Sequence, residues 1–270
     1  RPEQAAQALS MVRTLGLANT IRKVRSRLEG AQPLGYSLCG RVTETLGDCH
    51  GIAVGDLVAC AGGGYANHAD QAVVPANLAV KVPDGVDPAD AAFTTLGAIA
   101  LQGVRLAAPS QGECALVIGL GIIGQLGCQL LKASGCRVMG MDTSRSAVEL
   151  ALSSGGADTA SDSDPDCVLR QAEVFSRGRG VDLVLICAGT SSNGPVELAG
   201  AACRRKGRVV VVGAVGMDIP REDYYRKEIS FTVSCSYGPG RYDPSYEEGG
   251  IDYPLPYVRW TEARNMEAVL

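Results

Sequence analysis

Residues 114–142 read CALVIGLGIIGQLGCQLLKASGCRVMGMD, and the fold of the chain follows from them. The stretch opens on a short apolar run, residues 115–118, of strand length. Gly119-Leu120-Gly121-Ile122-Ile123-Gly124 then spells GxGxxG. Apolar residues at Ile122, Ile123, Leu126, Leu130 and Leu131 follow at helical spacing. Gly135 stands where a helix ends, residues 137–141 read as a second strand, and Asp142 closes that strand. A bare GxGxxG says little. Placed between a strand and a helix, with an acid about 20 residues further on, it is the signature of a dinucleotide site. Gly119 allows the tight turn, Gly121 lets backbone approach a pyrophosphate, and Gly124 lets helix and strand pack closely. The helix start, with Ile122 and Ile123, offers free N–H groups and a partial positive charge to the phosphates. Asp142 would accept hydrogen bonds from both ribose hydroxyls of NAD and repel the additional phosphate of NADP. Arg145, three residues later, leaves room for use of both. A glycine-rich turn without ligand explains the glycines, but not the agreement of strand, helix and acid.

A chain of 270 residues can bury a large core and form one or two domains. Its formal net charge is −4, and no basic block suggests a nucleic acid or an anionic membrane as partner. The apolar runs are too short to span a bilayer. Ten cysteines without paired spacing point to reduced thiols in a cytoplasmic protein. Cys128, Cys136, Cys187 and Cys203 lie in apolar stretches and read as small core residues. The chain starts at Arg1 and stops inside an apparent helix, residues 262–270, so a longer protein is expected.

Residues 1–30 are helical in pattern, with a basic cluster at Arg22, Lys23, Arg25 and Arg27 that reads as a solvated face. From Gln32 short strands and turns take over: 35–44, 57–61, 69–74 and 78–82. Residues 89–105 read as mostly helical, with Gly97 and Gly103 as soft points. Between 114 and 235 strand and helix alternate. Strands are expected at 114–118, 137–141, 157–160, 182–187, 208–213 and 229–235, and helices at 122–134, 145–153, 165–176 and 194–204. Six strands with intervening helices make an α/β, doubly wound Rossmann domain, which binds ligands beyond its strand C-termini. The loops there are 119–124, 142–145, 188–193 and 213–217. Residues 236–257, SYGPGRYDPSYEEGGIDYPLPY, are too aromatic for a flexible linker and read as an ordered loop that packs on something.

The chain resembles the medium-chain dehydrogenase/reductase superfamily, the alcohol dehydrogenase-like fold. The resemblance rests on Gly35-Tyr36-Ser37-Leu38-Cys39-Gly40, Val54-Gly55-Asp56, residues 69–75, Lys81-Val82-Pro83-Asp84-Gly85, Ala91-Ala92-Phe93-Thr94-Thr95, the 119–142 unit and Gly207-Arg208-Val209-Val210-Val211-Val212-Gly213. These cover nearly all of residues 32–235 in the family's order. Tyr65-Ala66-Asn67-His68-Ala69 and Ser236-Tyr237-Gly238-Pro239-Gly240-Arg241-Tyr242-Asp243 look more narrowly like bacterial two-module oxidoreductases. Those carry a second, glucose–fructose oxidoreductase-like module, which would follow residue 270. The resemblance implies a GroES-like β-rich domain over 1–95, incomplete in this chain, an NAD(P)-binding domain over 96–235, and a return to the first domain over 236–270. It implies that Thr95 touches the nicotinamide, that Ala188 and Gly189 underlie the adenine-side ribose, and that Gly213, Ala214 and Val215 lie beside the carboxamide.

The chain also departs from the family pattern. Zinc-dependent members carry Gly-His-Glu where this chain has Gly35-Tyr36-Ser37, and a phenol is a poor zinc ligand. The cysteine expected near Phe93 is absent. Between Cys60 and Ala69, where a four-cysteine lobe would fall, stands AGGGYANH. No metal is therefore expected at either place, and another group must handle the proton. His68 is one candidate acid/base, since imidazole titrates near neutrality; the alternative is a histidine that only holds a loop. Tyr36, at the vacated ligand position, is the other, although a free phenol titrates near about 10. The leading function is zinc-independent hydride transfer between NAD(H) and a small alcohol or carbonyl, with a sugar or polyol suggested by the two-module resemblance alone. An NADPH-dependent quinone or enoyl reductase and a non-catalytic dinucleotide-binding module remain alternatives. Residues 207–213 and 228–235 could place an edge strand for homodimer pairing.

Overall fold

The computed structural model describes residues 33–162 and 164–270. The helical pattern over 1–30 and its basic cluster lie outside the described residues. A three-stranded antiparallel sheet comes first, in the order β1 (Ser37–Arg41), β2 (Leu57–Ala61), β3 (Ala79–Lys81). Ser37 pairs with Ala61 and Val58 with Lys81. Helices α1 (Pro88–Ala91) and α2 (Thr94–Ala107) lead into a six-stranded parallel sheet. Its strands are β4 (Cys114–Ile118), β5 (Arg137–Met141), β6 (Thr159–Ser161), β7 (Val181–Ile186), β8 (Cys203–Val211) and β9 (Ser230–Val233), in the spatial order β6-β5-β4-β7-β8-β9. The crossovers are α3 (Ile122–Ala133), α4 (Arg145–Ser153), α5 (Pro165–Phe175), α6 (Gly194–Ala202) and α7 (Arg221–Lys227). The short α8 (Pro244–Glu247) and α9 (Glu262–Val269) complete the chain.

Strands covered on both faces read as unbroken apolar runs, and every residue of β4 is buried. One core layer joins Leu116, Ile118, Val184 and Ile186 to α5 and α6, and the opposite layer joins Ala115, Val117, Leu183 and Leu185 to α2 and α3. Three helices start on an Asp-Pro pair in which the aspartate caps: Asp87 accepts from the Ala89 N–H at 2.7 Å, Asp164 from Cys167 at 3.1 Å, and Asp243 from Ser245 at 2.9 Å.

Four details differ from the sequence expectations. Residues 69–74 form no strand: residues 69–73 are exposed, and neither edge of the small sheet pairs with them. The helix expected over 89–105 is broken at Ala92–Phe93. Ser37 Oγ donates to the Ala92 carbonyl at 2.6 Å and Thr94 Oγ1 to the Ala91 carbonyl at 2.7 Å. Side-chain donors thus compete there with helical N–H groups. Strand β8 begins at Cys203, directly after α6, where a helix to 204 and a strand from 208 were expected. Arg204 is drawn into the sheet by Asp182 at 2.5 Å. Helices α7 and α8 were not anticipated.

Helix α2 lies against both sheets. Its two glycines are points of close approach: a Cβ on Gly97 would stand 2.5 Å from Val269 Cγ1, and one on Gly103 2.4 Å from Val212 Cγ2. The tyrosine-rich segment packs, as its composition suggested. Tyr237 shares a core with Ala59, Leu78, Val80, Ala98 and Met266. Tyr246 stacks on Tyr253 with ring centres 5.3 Å apart, and its carbonyl accepts from Asn77 Nδ2 at 2.8 Å. Trp260 lies between two guanidinium groups, Arg105 at 3.2 Å and Arg259 at 3.7 Å from the ring centre.

Candidate functional site

The C-terminal ends of β4, β5, β7 and β8 meet around the glycine-rich turn. Gly119 has φ +93, and a Cβ there would stand 2.5 Å from the Ala188 nitrogen. A Cβ on Gly124 would stand 1.9 Å from the Gly119 carbonyl oxygen, and one on Gly213 2.1 Å from the Ala188 carbonyl oxygen. These three glycines are required by packing, since no larger residue fits without moving backbone. Gly121 differs. Its φ of −64 and ψ of −174 suit any residue, it is exposed, and a Cβ there would meet nothing within 4 Å. Nothing inside the chain demands glycine at this position. It opens onto the N-terminus of α3, which no side chain caps. Free N–H groups and an unobstructed backbone fit a pyrophosphate.

Asp142 stands beside this turn. Its Oδ2 accepts from the Leu120 N–H at 2.6 Å and its Oδ1 from the Ser144 N–H at 2.8 Å. Each oxygen keeps a lone pair for a ribose hydroxyl, and the backbone bonds fix the carboxylate in place. Arg145 is mostly exposed and its Nε donates to Glu149 at 2.9 Å. Ile122 is exposed and Ile123 half-buried at the mouth of the turn. Ala188 and Gly189 lie just beyond β7, and Thr190 N–H donates to the Ala214 carbonyl at 2.8 Å, tying the 188–193 loop to Gly213, Ala214 and Val215. Burial pushes the Cys187 thiol up, so it sits neutral behind Gly124.

Sequence reasoning passed over Gln125. It is buried, and its Nε2 donates to the Leu120 carbonyl at 3.0 Å and to the Ala147 carbonyl at 2.8 Å. One amide therefore bolts the glycine turn to α4. A polar residue on the apolar face of α3 was the available signal.

The second group of candidates gathers where β1 begins. The His68 N–H donates to the Leu34 carbonyl at 2.7 Å, and the His68 ring fills the space a Cβ on Gly35 would occupy. Tyr36 follows directly, 44% exposed, with its carbonyl accepting from Gly62 at 3.0 Å. The His68 ring thus packs against Gly35, the chain neighbour of Tyr36, and no strand follows His68. Thr95, fully buried, donates its hydroxyl to the Cys60 carbonyl at 3.3 Å. Among the described residues, no three His, Cys, Asp or Glu side chains are grouped so as to hold a metal ion.

Residues 123–248 match the family model described as zinc-binding dehydrogenase. An alcohol dehydrogenase of Geobacillus stearothermophilus is 27% identical over 192 residues, covering 68% of this chain and 53% of that protein. By these matches the chain is similar to medium-chain, alcohol dehydrogenase-like proteins. It spans about half the length of that curated relative. Two solved structures share the fold. Galactitol-1-phosphate dehydrogenase of Escherichia coli superposes with a TM-score of 0.67 at 21% identity, over 91% of this chain and 78% of that one. A mycobacterial protein complexed with NADPH superposes with a TM-score of 0.65 at 19% identity, over 90% of this chain and 71% of that one. The glycine turn, Asp142 and the 188–193 and 213–217 loops adjoin one another and form one rim.

Proposed function

We propose that the chain binds NAD(H) on the rim around Gly121 and serves hydride transfer between that dinucleotide and a small alcohol or carbonyl, without zinc. The observation that carries this reading is Gly121, a glycine with ordinary backbone angles and open space where its side chain would be, set on an uncapped helix start beside a fixed carboxylate. When bound, the nicotinamide supplies or accepts the hydride. The chain's own residues bind and orient. The α3 N–H groups hold the phosphates, Asp142 takes the ribose hydroxyls, and the 188–193 and 213–217 loops flank the rest of the dinucleotide. Thr95, already tied to Cys60, supports the small-sheet side of the site rather than offering a free hydroxyl. Tyr36 and His68 are the side chains proposed to pass the proton. A polyol or sugar fits the galactitol-1-phosphate dehydrogenase likeness, and a homodimer through β9, an edge strand of the large sheet, fits the same reading.

Calorimetric titration of the folded protein with NAD(H) and with NADP(H) tests the assignment. Tighter binding of NAD(H) is expected, because a carboxylate at the ribose disfavours a second phosphate. Absence of binding by either dinucleotide would sink it. The likeness to a protein complexed with NADPH favours one second reading, an NADPH-dependent reductase. It requires Arg145 to leave Glu149 and reach the phosphate, and tighter NADPH binding would establish it.

A further inference from the structure

A buried polar cluster lies beneath the tyrosine-rich segment, away from the glycine turn. Glu262, the first residue of α9, is fully buried, and neither of its carboxylate oxygens has a partner. Around it, the Tyr237 hydroxyl, Arg241 Nε and Asn265 Oδ1 are buried and unpartnered as well. Among the described residues nine such atoms occur, and these five in one place make up most of them. Buried polar groups are almost always paired, so a concentration of orphans marks something the heavy atoms do not display.

The charges around Glu262 do not neutralise it. From the segment after β9 come Tyr237, Arg241 and Tyr242, and from α8 come Tyr246 and Glu247, with Tyr253 stacked on Tyr246. Arg241 is the cation of the group, and its guanidinium pairs with Glu247, itself buried. On α9, Arg264 pairs with Asp252, and Glu267 is exposed. Helix α2 contributes Gln102, bonded to Asn265 Nδ2 at 3.1 Å, and Arg105, stacked on Trp260. Strand β3 contributes Lys81, which is held by Asp56 at 2.7 Å. Among the described residues, these pairings leave no unpaired positive charge for a carboxylate at residue 262.

We propose that Glu262 carries a proton in the folded protein and that this proton latches the return segment onto α2 and the small sheet. One proton removes the carboxylate charge and leaves a neutral acid among the unpartnered Tyr237 hydroxyl and Asn265 Oδ1, the latter one helical turn along α9. Deprotonation sends the proton to bulk water and leaves a bare carboxylate in an apolar joint next to Glu247, which is costly. Burial, with Glu247 adding to it and Arg241 opposing, raises the Glu262 carboxyl to about 8. An unfolded glutamate titrates near about 4.3. The folded value lies above the unfolded one, so the stabilisation is complete below the ordinary carboxylate range. It declines as pH rises and is gone once the folded group has ionised.

Thermal unfolding of the wild type and of Glu262→Gln between about pH 6 and about pH 9 tests the latch. The amide matches the neutral acid in shape. The wild-type midpoint should fall by several degrees more than the variant's over that interval, and the variant should equal or exceed the wild type at the alkaline end. Parallel profiles would overturn the proposal. Infrared spectroscopy on the unaltered protein gives an independent answer if the variant folds poorly. A protonated-carboxyl C=O band should be present at neutral pH and vanish on alkaline titration; its absence at neutral pH would also overturn the latch.

Discussion

At the scale of the residue, two glycines of one motif are held by different forces. Gly124 faces a carbonyl oxygen 1.9 Å from where a Cβ would be, whereas Gly121 faces open space. Gly124→Ala should therefore lose roughly 1–3 kcal/mol of stability or more through overpacking, read from denaturant unfolding. Gly121→Ala should unfold at nearly the wild-type midpoint, since an alanine at a helix N-cap costs about 1 kcal/mol. The same variant should lose most dinucleotide affinity, because the added methyl intrudes on the phosphates. If Gly121→Ala bound NAD(H) as well as the wild type, the pyrophosphate would lie elsewhere. Asp142→Asn removes charge-assisted hydrogen bonds worth roughly 1.5–3 kcal/mol. About 10- to 100-fold weaker NAD(H) binding and a smaller preference over NADP(H) are expected, both from calorimetry. Replacing Tyr36 by Phe and His68 by Ala separately should identify the proton-passing group. Steady-state assays in which both variants keep full turnover would exclude the pair.

At the scale of the element, α2 sets how closely the two sheets approach. Gly103 sits against Val212 and Leu185, and Gly97 against Val269. Gly103→Ala should cost about 1–3 kcal/mol, and a second substitution, Val212→Ala, should recover part of it by vacating the contested space. Additive losses in chemical unfolding would show that the clash is relieved in another way. These glycines also mark a limit of sequence reading. They looked like weak points in a helix, and only their neighbours reveal them as notches. The β4–α3–β5 unit was legible because strand period, helix period and glycine spacing all arise within one contiguous stretch. Residues 69–74 and the break at Ala92 were illegible because partners far along the chain decide them. A strand needs a neighbour that 69–74 lacks, and Ser37, 55 residues away, claims the Ala92 carbonyl. Gln125 escaped notice for the same reason, since its value lies in reaching Ala147 on another helix.

At the scale of the whole molecule, the family model carries the word zinc, while this chain presents Tyr36 at the expected ligand position and AGGGYANH at the expected lobe. Elemental analysis of purified, folded protein is expected to find zinc well below one equivalent, with turnover insensitive to chelators. A full equivalent that leaves together with activity would reverse the zinc-free assignment. The return segment stitches the small sheet to α2, with Tyr65 donating to Glu248 at 3.1 Å and Asn77 holding the Tyr246 carbonyl. Changes there should be felt in both halves. The chain contains a single tryptophan, and Trp260 is the indole pressed between Arg105 of α2 and Arg259. Its emission is therefore an unmixed optical signal from one seam. Quenching or a spectral shift on adding a nucleotide, or on making the buffer alkaline, would report that seam opening without any label attached.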